Sequence, residues 1–375
     1  MQRILRSGSL PISAAGTANS GVAPTDAAKE GLRPVAAWLF LCCGLIFLMV
    51  VVGGVTRLTL SGLSITEWKP VIGIVPPLSD ADWAAEFAKY RQIPEYRAIH
   101  FAMSLDEFKS IYFWEYFHRL LGRLIGVAFA VPFIWFLARR RLPRRLAPPL
   151  AGILLLGFLQ GALGWYMVES GLADRVEVSQ YRLVAHLALA LAIYAAILWT
   201  ALGIVRGPSP DPSPGWRRAA EAVLVLVALT ILAGGFVAGT RAGLTYNTFP
   251  LMDGRLVPAG YAQLQPLWVN WFENIATIQF DHRALAVVTV SAVFLLWAAG
   301  LRSNLPISAR KALHALLAVA VLQAALGIST LLLVVPIPLA AAHQAGAVLL
   351  LTAAIVFRHT LRAAAVMDAR AAATI

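Results

Sequence analysis

The sequence is poor in charged residues and in cysteine, and each shortage excludes a class of protein. Only 13% of its 375 residues are Asp, Glu, Lys or Arg, whereas 59% are hydrophobic. A soluble domain of average composition has about 25% charged residues. The two cysteines, Cys42 and Cys43, are adjacent inside one apolar run, so no disulfide can join two loops of the chain. The composition is that of a membrane protein.

Apolar runs of helix length recur along the chain. A helix of about 20 residues crosses a hydrocarbon core of roughly 30 Å, and helices satisfy their own backbone polar groups there. Eight such runs are present, at 35–55, 118–138, 149–168, 183–204, 218–239, 283–301, 311–335 and 338–357. We therefore predict an all-α membrane protein with eight transmembrane helices in a lipid bilayer.

The net charge of +12 follows the predicted topology. Lys and Arg outnumber Asp and Glu in both tails and at 139–145, 206–218 and 302–311, whereas acids outnumber bases at 57–117, 169–182 and 240–281. Basic connections mark the cytoplasmic side. This pattern predicts a multi-pass protein of the bacterial inner membrane (the mitochondrial inner membrane in a eukaryote) with both termini cytoplasmic. It does not indicate nucleic-acid binding.

Two pairs of similar segments suggest an internal repeat. "GGVTRLTLSGLSITEW" (53–68) is similar to "GGFVAGTRAGLTYNTF" (234–249), and "LQGALG" (159–164) to "LQAALG" (322–327). We predict two tandem four-helix bundles related by a parallel pseudo-two-fold repeat. The predicted parts are a disordered tail (1–34), an N-terminal bundle (35–205), a linker (206–217), a C-terminal bundle (218–360) and a second tail (361–375). The glycines favour close helix packing, whereas Gln160 and Gln323 fit either packing or a role beside a bound group.

Four of the seven histidines occupy matching places in the two halves. They lie near the outer ends of the even-numbered spans, at His118, His186, His282 and His343. Imidazole is a common axial ligand of haem iron, and facing helices of a bundle often hold a haem. We therefore predict one bis-histidine haem site in each half. The other histidines, at 100, 314 and 359, have no counterpart, and we expect them to be interfacial side chains.

Arginines accompany these histidines. Arg119 and Arg283 directly follow the first histidine of each half, and Arg57, Arg123 and Arg241 lie near the same side. A guanidinium binds a carboxylate through two hydrogen bonds, so these five are candidates for binding haem propionates. The alternative is that they reach towards lipid headgroups.

A single carboxylate distinguishes the two halves. Glu115 precedes His118 by three residues and shares its helix face, whereas Gln279 stands at the equivalent position before His282. A carboxylate beside one site and an amide beside the other indicates proton chemistry in the first half and a bound cofactor in the second. The alternative is a salt bridge from Glu115 to Arg119 or Arg123.

These motifs resemble those of the haem A synthases. The most specific are "GGVTRLTLSGLSITEWKPVIGIVPP", Glu-x-x-His at 115–118, "AGLTYNTFPLMDG" at 242–254 and "DHR" at 281–283. The long first outer loop is similar to that of the proteobacterial and mitochondrial branch, which lacks an outer-loop cysteine pair.

The resemblance implies oxidation of the C8 methyl of haem O to a formyl group by successive hydroxylations, giving haem A for terminal oxidases. It implies that His282 and His343 ligate a resident haem b (iron), that His118 and His186 bracket the substrate haem, and that Glu115 is the catalytic carboxylate. Haem O synthase and an electron donor are the expected partners. Two routes of methyl oxidation stay open: activation of O2 by the iron, or attack of water on an oxidised macrocycle. Whether the protein is a monomer or a homo-oligomer also stays open.

Two other functions fit part of the sequence. A dihaem b-type electron-transfer protein would place haems near opposite faces of the membrane, whereas all four histidines here are predicted at one depth. A haem carrier without chemistry would not explain why Glu115 stands opposite Gln279.

Overall fold

Long helices make up most of the chain in a computed structural model that describes residues 26–68, 72–174, 176–206 and 214–362. The helices are α1 (Asp26–Leu58), α2 (Asp80–Tyr90), α3 (Pro94–Ala98), α4 (Leu105–Ala138), α5 (Ala147–Asp174), α6 (Gln180–Val205), α7 (Pro214–Gly239), α8 (Asn270–Glu273), α9 (Ile275–Leu301), α10 (Ile307–Leu332) and α11 (Ile337–Thr360). Short 3-10 turns lie at Ile72–Ile74, Ala242–Leu244 and Leu267–Val269. Within these ranges there is no β-strand, only one isolated bridge between Met252 and Arg255.

Eight of the described helices, namely α1, α4, α5, α6, α7, α9, α10 and α11, are long and apolar enough to cross a membrane. This confirms the predicted all-α membrane protein with eight spans. We call the side that carries α2, α3 and α8 the outer side.

The eight spans form two rings of four helices. In the first half, α1 contacts α4 and α6, and α5 contacts the same two helices; in the second half, α7 contacts α9 and α11, and α10 contacts the same two. The helices that carry the histidines are therefore opposite one another, α4 across from α6 and α9 across from α11. The rings meet where α6 packs on α7 and α11, and where α1 packs on α11. The repeat that relates the halves remains a prediction.

Several predicted boundaries need correction, and one of them is the start of α9, at Ile275 rather than near residue 283. α4 begins at Leu105 rather than near residue 118, because Ser104 caps it: the Ser104 hydroxyl accepts from Glu107 N, and the Glu107 carboxylate accepts from Ser104 N at 2.8 Å. Residues 26–34 of the predicted tail belong to α1, since Ala, Lys and Glu favour helix there. Residues 214–217 of the predicted linker belong to α7. The rest of the predicted tails and linker, at 1–25, 207–213 and 363–375, lies outside the described residues.

The first outer loop folds onto α4 as a cap. The loop forms two helices, α2 and α3, because Pro94 begins a new helix. Their apolar face packs against protein. The buried cluster that results, which we call the outer cap, consists of Leu63, Tyr90, Ile93, Tyr96, Phe108, Ile111 and Tyr112.

The outer cap should loosen when Phe108 is truncated. Phe108 is fully buried, and its ring centroid lies 5.0 Å from that of Phe87 and 5.2 Å from that of Tyr90. Phe108→Ala is expected to cost the cap about 3–5 kcal/mol and to speed tryptic cleavage after Arg91. The control is Phe101→Ala in the same loop, where the side chain is 74% exposed. Equal cleavage rates in the two variants would contradict the packing described here.

Candidate active site

Each of the four predicted histidines lies against a glycine of a neighbouring helix. The pairs are His118 (α4) with Gly53 (α1), His186 (α6) with Gly164 (α5), His282 (α9) with Gly234 (α7), and His343 (α11) with Gly327 (α10). A Cβ at those glycines would lie 3.1, 2.9, 2.9 and 2.7 Å, respectively, from the nearest imidazole atom. Real Cβ atoms essentially never approach to within 3.0 Å, and one at 3.1 Å would force His118 to shift, so the ring positions depend on glycine. The first glycine of each Gly-Gly pair and the last glycine of "LQGALG" and "LQAALG" therefore position the histidines.

The second glycine of each Gly-Gly pair faces the other half of the protein. Gly54 lies directly under the side-chain amide of Gln344 on α11, which donates to Val50 O at 2.8 Å. Gly235 lies under Val184 and a neighbouring leucine of α6. One glycine of each pair thus admits a histidine, and the next lets the two helix rings approach.

The histidines lie on opposite helices of the two rings. His118 on α4 is across from His186 on α6, and His282 on α9 is across from His343 on α11. All four side chains are only partly buried although they lie in the interior of helix bundles. Each of these residues thus keeps some accessible surface.

The neighbour of a ring nitrogen fits iron ligation at His282, whereas Nε2 of His186 lies 3.2 Å from Gln160 Nε2. His282 Nδ1 lies 3.1 Å from Thr230 O, so an Nδ1–H donor to that carbonyl leaves Nε2 for a metal. Gln160 Nε2 donates to His186 O at 3.0 Å, and Gln323 Nε2 donates to His343 O at 3.0 Å. The two glutamines therefore hold the backbone of the second histidine of each pair.

The donor set suits a haem better than a bare metal ion. Across the described residues, no group of three or more His, Cys, Asp or Glu side chains is placed to hold an ion. A structural zinc site needs about four protein ligands, whereas a haem supplies four equatorial nitrogens itself and needs only two axial ligands. Each histidine pair thus fits one haem.

Glu115 is buried in a network of three donors beside the first pair. Its side chain is 3% exposed. Its Oε2 accepts from Ser64 Oγ at 2.7 Å and from Ile65 N at 2.8 Å, and its Oε1 accepts from Arg119 Nη2 at 2.6 Å. These donors compensate the cost of burying a carboxylate. The predicted salt bridge to Arg119 is present, and it leaves the catalytic prediction for Glu115 open.

Gln279 makes the opposite hydrogen bonds in the second half. It is 2% exposed, and its Nε2 donates to Ala242 O at 3.0 Å and to Thr245 O at 2.7 Å. Thr245 occupies the place of Ser64 in the repeated segments. The loop after α1 therefore donates hydrogen bonds to the carboxylate of Glu115, whereas the loop after α7 accepts hydrogen bonds from the amide of Gln279.

The two arginines that follow the first histidines anchor these loops in the same way. Arg119 donates to Ile65 O at 3.0 Å and to Glu67 O at 3.4 Å. Arg283 donates to two carbonyls at matching positions of the repeat, Tyr246 O at 2.5 Å and Thr248 O at 2.9 Å. In the described part of the chain, no carboxylate lies within salt-bridge distance of Arg283.

Glu177, which the sequence analysis missed, joins the two halves. Its carboxylate pairs with Arg57 Nη2 at 2.7 Å and with Arg241 Nη2 at 2.6 Å. Two of the candidate propionate-binding arginines thus share one acid. Arg123 lies one turn further along α4, near Arg119 and Tyr116. No sequence signal marked Glu177, because it belongs to neither repeated motif.

A small cavity lies beside Arg119, between the outer parts of α4 and α5. Its walls include Trp68, Arg119, Trp165 and Glu169. Because Arg119 also binds Glu115, the cavity adjoins the Glu115 network.

The geometry is that of a multi-pass membrane protein with two histidine pairs on opposite helices, one of which lies beside a buried carboxylate. A family model described as cytochrome oxidase assembly protein matches residues 36–355, and the chain belongs to this family. Among similar proteins, Heme A synthase of Nitrosospira multiformis is 55% identical over 90% of this chain and 96% of its own length. Heme A synthase of Rhodospirillum centenum is 52% identical over 93% and 92%, and that of Nitrosomonas eutropha 51% over 88% and 94%.

The glycine contacts predict a selective effect on haem binding. Gly327→Ala places a methyl group against His343, and we expect the purified protein to lose most of the haem held by the second pair, because overpacking costs typically 1–3 kcal/mol. The matched control is Gly161→Ala, where nothing lies within 4 Å of the added Cβ and where the other repeat already has Ala324. Haem content is measured by the pyridine haemochrome spectrum. Equal haem content in both variants would disprove the contact's role.

Proposed function

We propose that this protein is a haem A synthase, which oxidises the C8 methyl of haem O to a formyl group by successive hydroxylations. The observation that supports it most is the difference between two otherwise similar sites. Both halves have a histidine pair on glycines and a loop anchored by an arginine, but only the first has a buried carboxylate. The names of the relatives agree with this function. The decisive experiment is incubation of the purified protein with haem O and a redox partner, followed by chromatography for haem A.

In this proposal the second half holds a resident haem b. His282 and His343 are its axial ligands, with Thr230 and Gln323 fixing their orientation. When bound, haem b supplies one-electron redox chemistry. Arg283 is the candidate for a propionate on this side, because no described carboxylate pairs with it and its Nε makes no hydrogen bond.

The first half holds haem O between His118 and His186. Arg119, Arg123, Arg57 and Arg241 remain candidates for its propionates, although Arg57 and Arg241 already share Glu177. The outer cap covers this half and limits access of water.

Glu115 acts on protons or positive charge at the methyl carbon. It either deprotonates the attacking water or stabilises positive charge that develops on the substrate. Ser64, Ile65 and Arg119 hold the carboxylate in place for this role. A second hydroxylation of the same carbon gives a geminal diol, which loses water to give the aldehyde.

The proposed membrane location and orientation follow from the charge pattern of the connecting segments. We propose a bacterial inner-membrane location with both termini in the cytoplasm, haem O synthase as the supplier of substrate, and a separate electron-transfer partner. Assembly into a homo-oligomer is compatible with this scheme.

The alternative is a dihaem b-type electron-transfer protein. The paired histidines fit it, but all four lie towards the outer side, so two haems would not span the bilayer. Reduction of both haems by an added donor, with no haem A formed from haem O, would favour this alternative.

Glu115→Gln is expected to lower haem A production by about 10² or more, the usual range for acid–base groups. The amide keeps the shape of the side chain, and its oxygen can still accept from the Ser64 hydroxyl and the Ile65 amide. The control is Asp106→Asn on the same helix, where the side chain is 92% exposed. Haem A and hydroxylated intermediates are quantified by chromatography. Near wild-type yield from Glu115→Gln would remove this residue from the mechanism.

Removal of one histidine pair should abolish a different property of the protein from removal of the other. The double variant His282→Ala, His343→Ala is expected to lose the low-spin bis-histidine spectrum of the resident haem. The matched double variant His118→Ala, His186→Ala is expected to keep that spectrum and to lose conversion of haem O. Full haem retention by the first double variant would refute the assignment of haem b to the second half.

A further inference from the structure

The loop after the first helix of each half meets the outer end of the third helix, and the two contacts differ. We call the contact of residues 62–68 with the outer end of α5 the first seam, and the contact of residues 243–249 with the outer end of α10 the second seam. The two loops correspond in sequence, and Arg119 and Arg283 bind them at matching carbonyls. The two seams can therefore be compared position by position.

A hydrogen bond from Asn247 closes the second seam. Its Nδ2 donates to Leu331 O at 2.9 Å and also to Gly243 O at 2.8 Å. Because α10 ends directly after Leu331, this carbonyl lies in the last helical turn, where it can accept from a side chain. Gly243 also packs on Val335, whose Cγ2 would lie 3.2 Å from a Cβ at the glycine. The loop after α7 is thus fixed to the end of α10.

The first seam lacks the corresponding hydrogen bond. Thr66 stands at the place of Asn247, and its buried Oγ1 makes no hydrogen bond within the described residues. Val168 stands at the place of Leu331, but α5 continues to Asp174, so the Val168 carbonyl lies inside the helix. Leaving a buried hydroxyl unpaired costs free energy. That cost is removed when the seam opens to water or to lipid headgroups.

Apolar packing holds the first seam instead. Leu63 lies over Gly171 of α5, where a Cβ would be 2.9 Å from Leu63 Cδ2. The cavity beside Arg119 lies at this seam, and its walls include Thr66 of the loop and Leu172 of α5. Apolar contacts have no fixed direction, so the first seam can part without breaking a hydrogen bond. The first seam is therefore easier to open than the second.

The first seam leads from the lipid towards the first histidine pair. α5 is the least buried of the eight described spans, and Trp165 in the cavity wall is 42% exposed. Tryptophan is typical of the boundary between membrane and water. Next to Trp165, Gly164 lies against His186. On the other side of the cavity, Arg119 directly follows His118.

We propose that haem O enters the first half, and haem A leaves it, through the first seam. The inference rests on the proposed function. A synthase exchanges its substrate haem in every turnover but retains its cofactor haem. The seam without a hydrogen bond belongs to the half with Glu115, and the hydrogen-bonded seam to the half with Gln279. A haem with a farnesyl chain partitions into the bilayer, so an apolar opening at the lipid boundary suits it.

The test locks each seam with a disulfide in the full-length protein. Leu63→Cys, Gly171→Cys locks the first seam, and Gly243→Cys, Val335→Cys is the matched control at the second. Both pairs of positions are neighbours, as a disulfide requires. The native Cys42 and Cys43 are buried within α1.

Uptake of haem O is followed by the change in absorbance when haem O is added to protein that contains haem b. Oxidation of the first variant is expected to slow uptake about tenfold or more, as when a lid is fixed, and reduction to restore it. Haem b content should stay the same. The control should take up haem O equally fast when oxidised and when reduced. Because each comparison uses the same variant, any loss of stability caused by the substitutions cancels.

Removing the hydrogen bond from the second seam is an independent test. Asn247→Thr introduces the residue of the first half and removes the donor to Leu331 O. Transfer of haem b to apomyoglobin is expected to become a few-fold to about tenfold faster, the range for one hydrogen bond. The control is Gln263→Ala, whose amide donates to Ala259 O within the same outer loop. Equal transfer rates in these two variants would contradict the role of the hydrogen bond.

The outcomes separate this inference from the proposed function. If the wild type takes up and converts haem O, and the locked first seam does not slow uptake, the route is wrong and the proposed function stands. If both locks slow uptake equally, the effect is not specific to the first seam, and the route is also wrong. If the wild type neither takes up nor converts haem O, the proposed function fails, and the route with it.

Discussion

The site depends on four contacts between an imidazole ring and a glycine. A histidine on one helix can face the centre of a four-helix ring only if the neighbouring helix leaves room for it. Gly53, Gly164, Gly234 and Gly327 supply that room, and a Cβ at any of them would press against the imidazole ring. Because membrane helices gain little from hydrophobic association with one another, such close packing also contributes to holding the rings together. The same glycines thus set both the helix spacing and the direction of the ligands.

On this shared scaffold the two halves differ in the direction of the hydrogen bonds between one buried side chain and the loop beside it. The loop after α1 presents donors, the Ser64 hydroxyl and the Ile65 amide, to an acid. The loop after α7 presents carbonyl acceptors to Gln279. A single acid-for-amide difference therefore requires a different loop conformation around it. In the proposed function this difference separates a site that performs proton chemistry from one that retains a haem.

Much of this arrangement could be predicted from the sequence, because it depends on periodic or repeated patterns. Eight apolar runs gave the spans, and matching positions in the two halves picked out four of the seven histidines. The start of α4 was misplaced, since the charged residues 106–119 hide a helix whose first turn depends on the Ser104 cap. Glu177 was missed. Its importance comes from ion pairs with Arg57 and Arg241, which are distant in sequence, and no local pattern records such contacts.

The central claim is that one half holds the substrate and the other the cofactor, and that Glu115 faces the reacting carbon. A structure of the protein with haem O bound, determined by electron cryomicroscopy, tests this most directly. The account predicts haem O between His118 and His186 with its C8 methyl towards Glu115, and a haem without the farnesyl chain between His282 and His343. Haem O in the second pair, or a C8 methyl on the far side of the ring from Glu115, would contradict it.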